Sequence, residues 1–265
     1  MDLKLAGRKA LITGGSRGIG KAVTRALLAE GVECVICGRS CESLEVTAKA
    51  LAEEAGRPVH AHVADVRDRR SLEALVAFAA ERMGGIDILV NNAARVSGGE
   101  PEDFARVDEA MVLRDFEEKF LGYLRCSRLV APYMQAKGWG RIINISGYAA
   151  RMAGNLSAGA RNASVVHLTK SLSIELGRHG INVNAIYPGM TVTETLTARA
   201  AHMASQANRT PAEQLQLLAA QQAIGRLVDA SEIAHVVAFL ASPLAAGITG
   251  EAIAVTGGVG HHVTY

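Results

Sequence analysis

A chain of 265 residues with 20% charged and 4% aromatic residues can bury the core of one α/β domain without covalent staples. Its net charge of +2 is spread along the sequence, with no basic run of the kind that grips nucleic acid or an anionic membrane. The opening MDLKLAGRKALITGG holds no apolar run long enough for a signal peptide or a membrane span, so a cytoplasmic protein is expected.

The elements follow in a regular rhythm. KALITGG reads as a strand running into a glycine turn, GIGKAVTRALLAEG as a helix ended by Gly31, and ECVICGR as the second strand. CESLEVTAKALAEEAG is a helix closed by Gly56, VHAHVADV the third strand, and Asp68 the expected N-cap of RRSLEALVAFAAERMGG. IDILVNNAA is the fourth strand. RDFEEKFLGYLRCSRLVAPYMQAKG predicts one long helix, GRIINIS the fifth strand, and residues 154–177 the next helix. INVNAIYPG and GEAIAVTGG complete the strands. Such alternation predicts an α/β fold: a single doubly wound Rossmann-like domain over 1–265, with a parallel sheet of about seven strands and helices on both faces. Residues 191–223 break the rhythm as an Ala- and Gln-rich insert. Within it Thr210, Pro211 and Glu213 form a helix start with a capping box. An insert after the C-terminal end of a strand is placed either to cover a substrate or simply to pack, and the sequence leaves both open.

The cysteines are Cys34, Cys37, Cys41 and Cys126. Cys34 and Cys37 have the C-x-x-C spacing of metal and redox sites. Inside a strand, however, that odd spacing points them to opposite faces, and no second Cys or His pair completes a zinc site. Reduced thiols and no metal are expected. His261 and His262, without further ligands, read as tail or interface residues.

TGGSRGIG, residues 13–20, follows a strand and opens a helix. Gly14, Gly18 and Gly20 let the backbone turn tightly and approach a pyrophosphate. Ser16, Arg17 and Ile19 complete the turn, and the helix N-terminus offers N–H groups to the phosphates. An NAD site places an acid at the end of the second strand, on the ribose 2′-hydroxyl. Here Gly38 stands at that place and Arg39 follows. Arg17 and Arg39 together suit a 2′-phosphate, which favours NADP(H) over NAD(H). The alternative is two solvated surface arginines.

With these residues in place, the chain resembles the short-chain dehydrogenase/reductase family along nearly its whole length. Thr13 to Gly20 match the family's glycine pattern, and Asp65-Val66 the pair that holds the adenine. Asn91-Asn92-Ala93-Ala94 resemble its Asn-Asn-Ala-Gly, which adds Asn91 and Ala93 to the expected cofactor residues. Pro188-Gly189 and Thr193 match the motif that contacts the nicotinamide. GRLVDASEIAHVVAFLAS and GITGEAIAVTGG are similar to the C-terminal signature, with Thr256 where an aspartate is usual. The resemblance implies hydride transfer between a nicotinamide and a small carbonyl or alcohol, by a homodimer or homotetramer paired through helices 114–137 and 156–177. Neither nucleic acid nor membrane is implied as a partner.

The family's chemistry rests on Asn, Ser, Tyr and Lys. Tyrosine is the acid/base, and a lysine one helical turn later lowers its pKa. By the register of NASVVHLTKSLSIELG, the tyrosine position holds Ala158 and the lysine position Asn162. Gly147 takes the serine position, with Ser146 one residue earlier, where strand alternation turns a side chain to the other face. Lys119 stands at the asparagine position. Lysine and asparagine have thus changed places, and an ammonium could enter the site from the neighbouring helix. Lys119, Ser146, Tyr148 and Asn162 are the candidate acid/base residues, with Tyr123 and Tyr187 as further phenols. Arg151 and Arg161 read as surface or subunit contacts, or as partners of an acidic substrate. His167 and His235 read as lying on packing faces and are given no role. Three functions stay open: a rebuilt NADP(H)-dependent oxidoreductase, an NADP(H)-binding protein without redox chemistry, and a lyase or isomerase using the site lysine.

Overall fold

The computed structural model describes residues 1–94 and 104–260; His261 and His262 lie outside them. In chain order, β1 (Lys9–Thr13), β2 (Glu33–Gly38), β3 (Val59–Val63), β4 (Ile88–Asn91), β5 (Gly140–Ile145), β6 (Ile181–Pro188) and β9 (Ala252–Val255) form one parallel sheet. The spatial order is β3-β2-β1-β4-β5-β6-β9. It reverses between β1 and β4, where the crossovers to either side part and open a crevice at the strands' C-terminal ends.

Strand alternation divides the core. Ile12, Ile36, Val90 and Ile143 face one way, toward Leu27 of α1 (Gly18–Ala29) and Val237 of α9 (Ala230–Ala241). Leu11, Val35, Leu89 and Ile142 face the other, toward Leu75 of α3 (Arg69–Met83) and Val130 of α5 (Gly122–Lys137). Cys34 falls in the first layer and Cys37 in the second, as strand periodicity requires. Burial pushes the Cys37 thiol up to about 12 and Cys34 higher still, so neither forms a thiolate readily. Among the described residues no group of three His, Cys, Asp or Glu is placed to hold a metal. None of the described helices is long and apolar enough to cross a membrane.

Helix signals hold where they are local. Asp68 caps α3 by accepting from the Arg70 N–H, and Gly56 ends α2 (Cys41–Ala55) in the left-handed region. Thr210 and Glu213 form the capping box of α8 (Pro211–Ala219). His167 and His235, expected on packing faces, are instead exposed, on the outer faces of α6 (Leu156–Gly177) and α9, because the buried stripe of each helix falls on other residues.

Two features differ from expectation. The long helix before β5 is not uniform: α4 (Glu109–Phe116) passes through a π turn, Glu117–Leu121, into α5. The wider turn buries Glu118 and Lys119 side by side. It also seats Gly122 on Val66; a Cβ there would lie 3.2 Å from Val66 Cβ. Second, β7 (Thr191–Val192) and β8 (Val228–Asp229) pair in parallel and pin the start of the insert to the approach of α9. Between them the insert folds as α7 (Glu194–Gln206) and α8, of which only the second was marked by a sequence signal.

Candidate active site

The crevice is a cleft of about 760 Å³ at the C-terminal ends of the strands. Gly14 (φ 67°) and Gly18 (φ 53°) turn in the left-handed region that other residues avoid. Gly20 does not line the cleft, contrary to its expected role as a contact. Its missing Cβ lets α1 press on the turn, since a Cβ would sit 2.1 Å from the Gly14 carbonyl oxygen. Gly20→Ala is therefore expected to push α1 off the turn, lowering NADPH affinity more than about tenfold together with Tm. Cofactor fluorescence titration and thermal melts check this.

The cradle attracts anions. The Gly18 N–H, at the positive end of α1, donates to Glu194 Oε2 at 3.0 Å, so a carboxylate oxygen already sits where the helix end favours negative charge. Ser16, Arg17, Ile19 and Arg39 line the same end, with both guanidiniums exposed at its rim. Gly38 presents no side chain there. These residues fit a phosphorylated dinucleotide: glycines for close approach, N–H groups for phosphates and cations for a 2′-phosphate.

Asp65, Val66, Ala93, Pro188, Gly189 and Thr193 also line the cleft. Both Asp65 oxygens accept from Arg67, the closest contact being 2.6 Å, which holds the carboxyl below its ordinary pKa. Asn91 is corrected. Its side chain is fully buried, donating to Ser127 Oγ (3.2 Å) and Asn144 Oδ1 (2.9 Å), and so stitches β4 to β5 and α5. Its neighbour Asn92 lines the cleft and holds the glycine turn. Its Nδ2 donates to the Thr13 and Gly14 carbonyls, each at 3.0 Å, tying the glycine turn to the end of β4.

At the other end Lys119, Ser146 and Asn162 meet. Lys119 Nζ donates to Asn162 Oδ1 at 2.7 Å and to the Ser146 carbonyl at 2.8 Å, in a setting that leaves the lysine 6% exposed. Burial pushes its pKa down to about 7; the nearby Arg161 cation acts the same way and Asp115 opposes it. Ser146 lines the cleft, yet its hydroxyl donates to the Asn162 carbonyl at 2.9 Å, so its proton is committed to the helix. Gly147 points its absent side chain at Asn162: a Cβ would lie 2.8 Å from Asn162 Nδ2. Ala158 is buried on the same face of α6.

The phenols are elsewhere. Tyr148 does not line the cleft, and its hydroxyl donates to the Val259 carbonyl at 2.9 Å; the short helical turn after β5 aims it toward the C-terminal segment. Tyr123 is buried in the core, donates to the Ile145 carbonyl at 3.0 Å, and has its pKa raised by burial. Tyr187 lies buried under the Arg151 guanidinium, 4.4 Å from its ring centroid. Arg161 is not a surface residue. It is buried in an ion pair with Asp115 (2.5 Å) and lines the cleft, while Ser157 Oγ donates to the same carboxylate oxygen at 2.7 Å. Asp115 lies across the helix pair from Arg161, and no local spacing marked the contact.

The arrangement is a cleft that runs from the glycine turn to a buried lysine whose pKa burial pushes down to about 7. The sequence matches, over residues 14–260, a family model described as enoyl-(acyl carrier protein) reductase. It is 38% identical over 258 residues to a putative ketoacyl reductase of Streptomyces coelicolor, covering 96% of this chain and 97% of that protein. Two solved structures are similar. One is L-sorbose reductase from Gluconobacter frateurii, complexed with NADPH and L-sorbose: TM-score 0.92, 29% identity, 98% of both chains. The other is a variant of actinorhodin polyketide ketoreductase with NADPH: TM-score 0.89, 35% identity, 96% of this chain and 98% of that one.

Proposed function

The chain belongs to the short-chain dehydrogenase/reductase family, and from that premise we propose that it is an NADP(H)-dependent oxidoreductase acting on a small carbonyl or alcohol through a rebuilt acid/base site. The carrying observation is Lys119, a buried ammonium at the end of a dinucleotide cleft, hydrogen-bonded to Asn162. When bound, the nicotinamide supplies the hydride. The chain supplies position and a proton. The positions where the family resemblance expects tyrosine and lysine hold Ala158 and Asn162, so the proton comes from Lys119 Nζ. An ammonium has three donors. The Ser146 carbonyl and Asn162 Oδ1 take two and fix the amine; the third is left for a substrate oxygen. Gly147, in the serine position, leaves the space that Asn162 fills.

Selection of NADP(H) rests on Arg17 and Arg39 and on the absence of an acid at Gly38. Similar proteins solved with NADPH support it. In this reading α7 covers the substrate, since Thr195, Leu196 and Arg199 line the cleft. The chain works as a single domain and pairs through the helical stretches 114–137 and 156–177 into a homodimer or homotetramer.

A near-neutral buried amine also favours a second reading, imine-forming lyase or isomerase chemistry at Lys119. The test is titration with NADPH and NADH, followed by carbonyl reduction assays. NADPH is expected to bind well ahead of NADH, with Arg39→Ala losing about tenfold in NADPH affinity and little for NADH. Equal binding of the two cofactors by the unaltered protein would refute the 2′-phosphate assignment. NADPH binding without turnover on any carbonyl would leave a cofactor-binding protein without redox activity. Trapping of substrate on Lys119 by borohydride would favour the lyase.

A further inference from the structure

Glu118 is unusual for a residue in the interior. It is 6% exposed and lines the cleft, and its Oε2 has no hydrogen-bond partner among the described residues. A buried carboxylate oxygen left without a donor costs about 1–3 kcal/mol or more, and such an atom in a cleft points to a ligand that supplies the donor. The π turn fixes where that donor would be. Glu118 precedes Gly122 by four residues, on the same helix face, and Gly122 rests on Val66. Its carboxylate lies close enough to Arg67 to act on that guanidinium. The Lys119 ammonium, by contrast, is held at the Ser146–Asn162 end.

Glu118 therefore stands at the β2–β3 end of the cleft, where Arg39 and Gly38 receive the adenosine ribose and its phosphate. A carboxylate repels phosphate, so the group it meets must be a donor. Ribose hydroxyls at this end belong beside Gly38 at the end of β2. The donor left on adenosine is the amino group of its base. Asp65, the other carboxylate among the described residues that line the cleft, has both oxygens accepting from Arg67.

We propose that Glu118 is a cofactor-binding residue that accepts a hydrogen bond from the 6-amino group of the adenine, a role that rests on the NADP(H) reading above. Fluorescence titration tests it, using NADPH and its analogue with hypoxanthine in place of adenine, in which an oxo group replaces the amino group. The unaltered protein is expected to prefer NADPH. Glu118→Gln, whose amide can donate to the oxo group, is expected to lose about tenfold in NADPH affinity and to shift its preference toward the analogue. Glu118→Leu is expected to bind both weakly and nearly equally. If Glu118→Gln keeps the unaltered preference, or if Asp65→Asn produces the shift instead, the assignment to Glu118 is overturned while the NADP(H) reading stands. If the unaltered protein binds neither cofactor, both fall. A purely structural role for Glu118 would weaken both cofactors alike and leave the preference in place.

Discussion

Lys119→Met is expected to lower kcat for carbonyl reduction by about 10²–10⁴-fold, the usual worth of a positioned general acid, while leaving NADPH affinity nearly unchanged. Methionine keeps the side-chain length and loses the proton. The lysine's pKa of about 7 fixes the pH dependence and its sign. Reduction needs the ammonium, so its rate is full below that value and falls as pH rises through it. Alcohol oxidation needs the neutral amine, so its rate rises through the same pH. Both inflections are expected to vanish in Lys119→Met. An unchanged rate, or an inflection that survives the substitution, would place the acid elsewhere in the cleft. The contact between Lys119 and Asn162 gives the reason to expect so large an effect: this is the cleft amine whose position is fixed by two acceptors, at 2.7 and 2.8 Å.

The second large effect concerns the ion pair behind that amine. Asp115→Ala takes the carboxylate of this ion pair away from the buried Arg161 guanidinium and removes the acceptor of Ser157 Oγ. Breaking one side of a buried pair costs about 3–5 kcal/mol, much of the stability of an ordinary domain. Urea unfolding should show a midpoint lowered by that free energy divided by the slope, with little change in the slope itself. The double variant Asp115→Leu with Arg161→Met, which removes both charges, should recover most of it. A loss below about 1 kcal/mol in Asp115→Ala would mean that water or another carboxylate reaches Arg161. In whatever fraction of Asp115→Ala remains folded, Lys119 has lost a stabilising anion and still faces the Arg161 cation. The reduction profile is therefore expected to fall at lower pH than in the unaltered protein.

These two effects mark the limit of what the chain could tell before it was folded. Gly14 and Gly18 announced their turn because a left-handed backbone is a property of the residue itself. The sheet was legible because alternate residues of ECVICG and GRIINI go to opposite layers, and the same period rightly split Cys34 from Cys37. Asp68 and Thr210 cap helices through contacts two or three residues away, well within the reach of local reading. The exchange of lysine and asparagine could also be read, as two letters in two helices. That the pair touches could not: Lys119 and Asn162 are 43 residues apart, and Arg161 and Asp115 are 46. The sequence alone places Asn91 at the cofactor, and only cross-strand pairing shows its side chain spent on Asn144 while Asn92 holds the glycine turn. It likewise places Tyr148 at the site, and the turn after β5 carries its hydroxyl to the Val259 carbonyl. The tertiary structure decided which polar groups are buried together, because the energy of a buried charge depends on neighbours that periodicity and propensity do not encode. A single π turn, invisible in the sequence, puts Glu118 and Lys119 into one cleft, the lysine held by two acceptors and Glu118 Oε2 without a donor among the described residues.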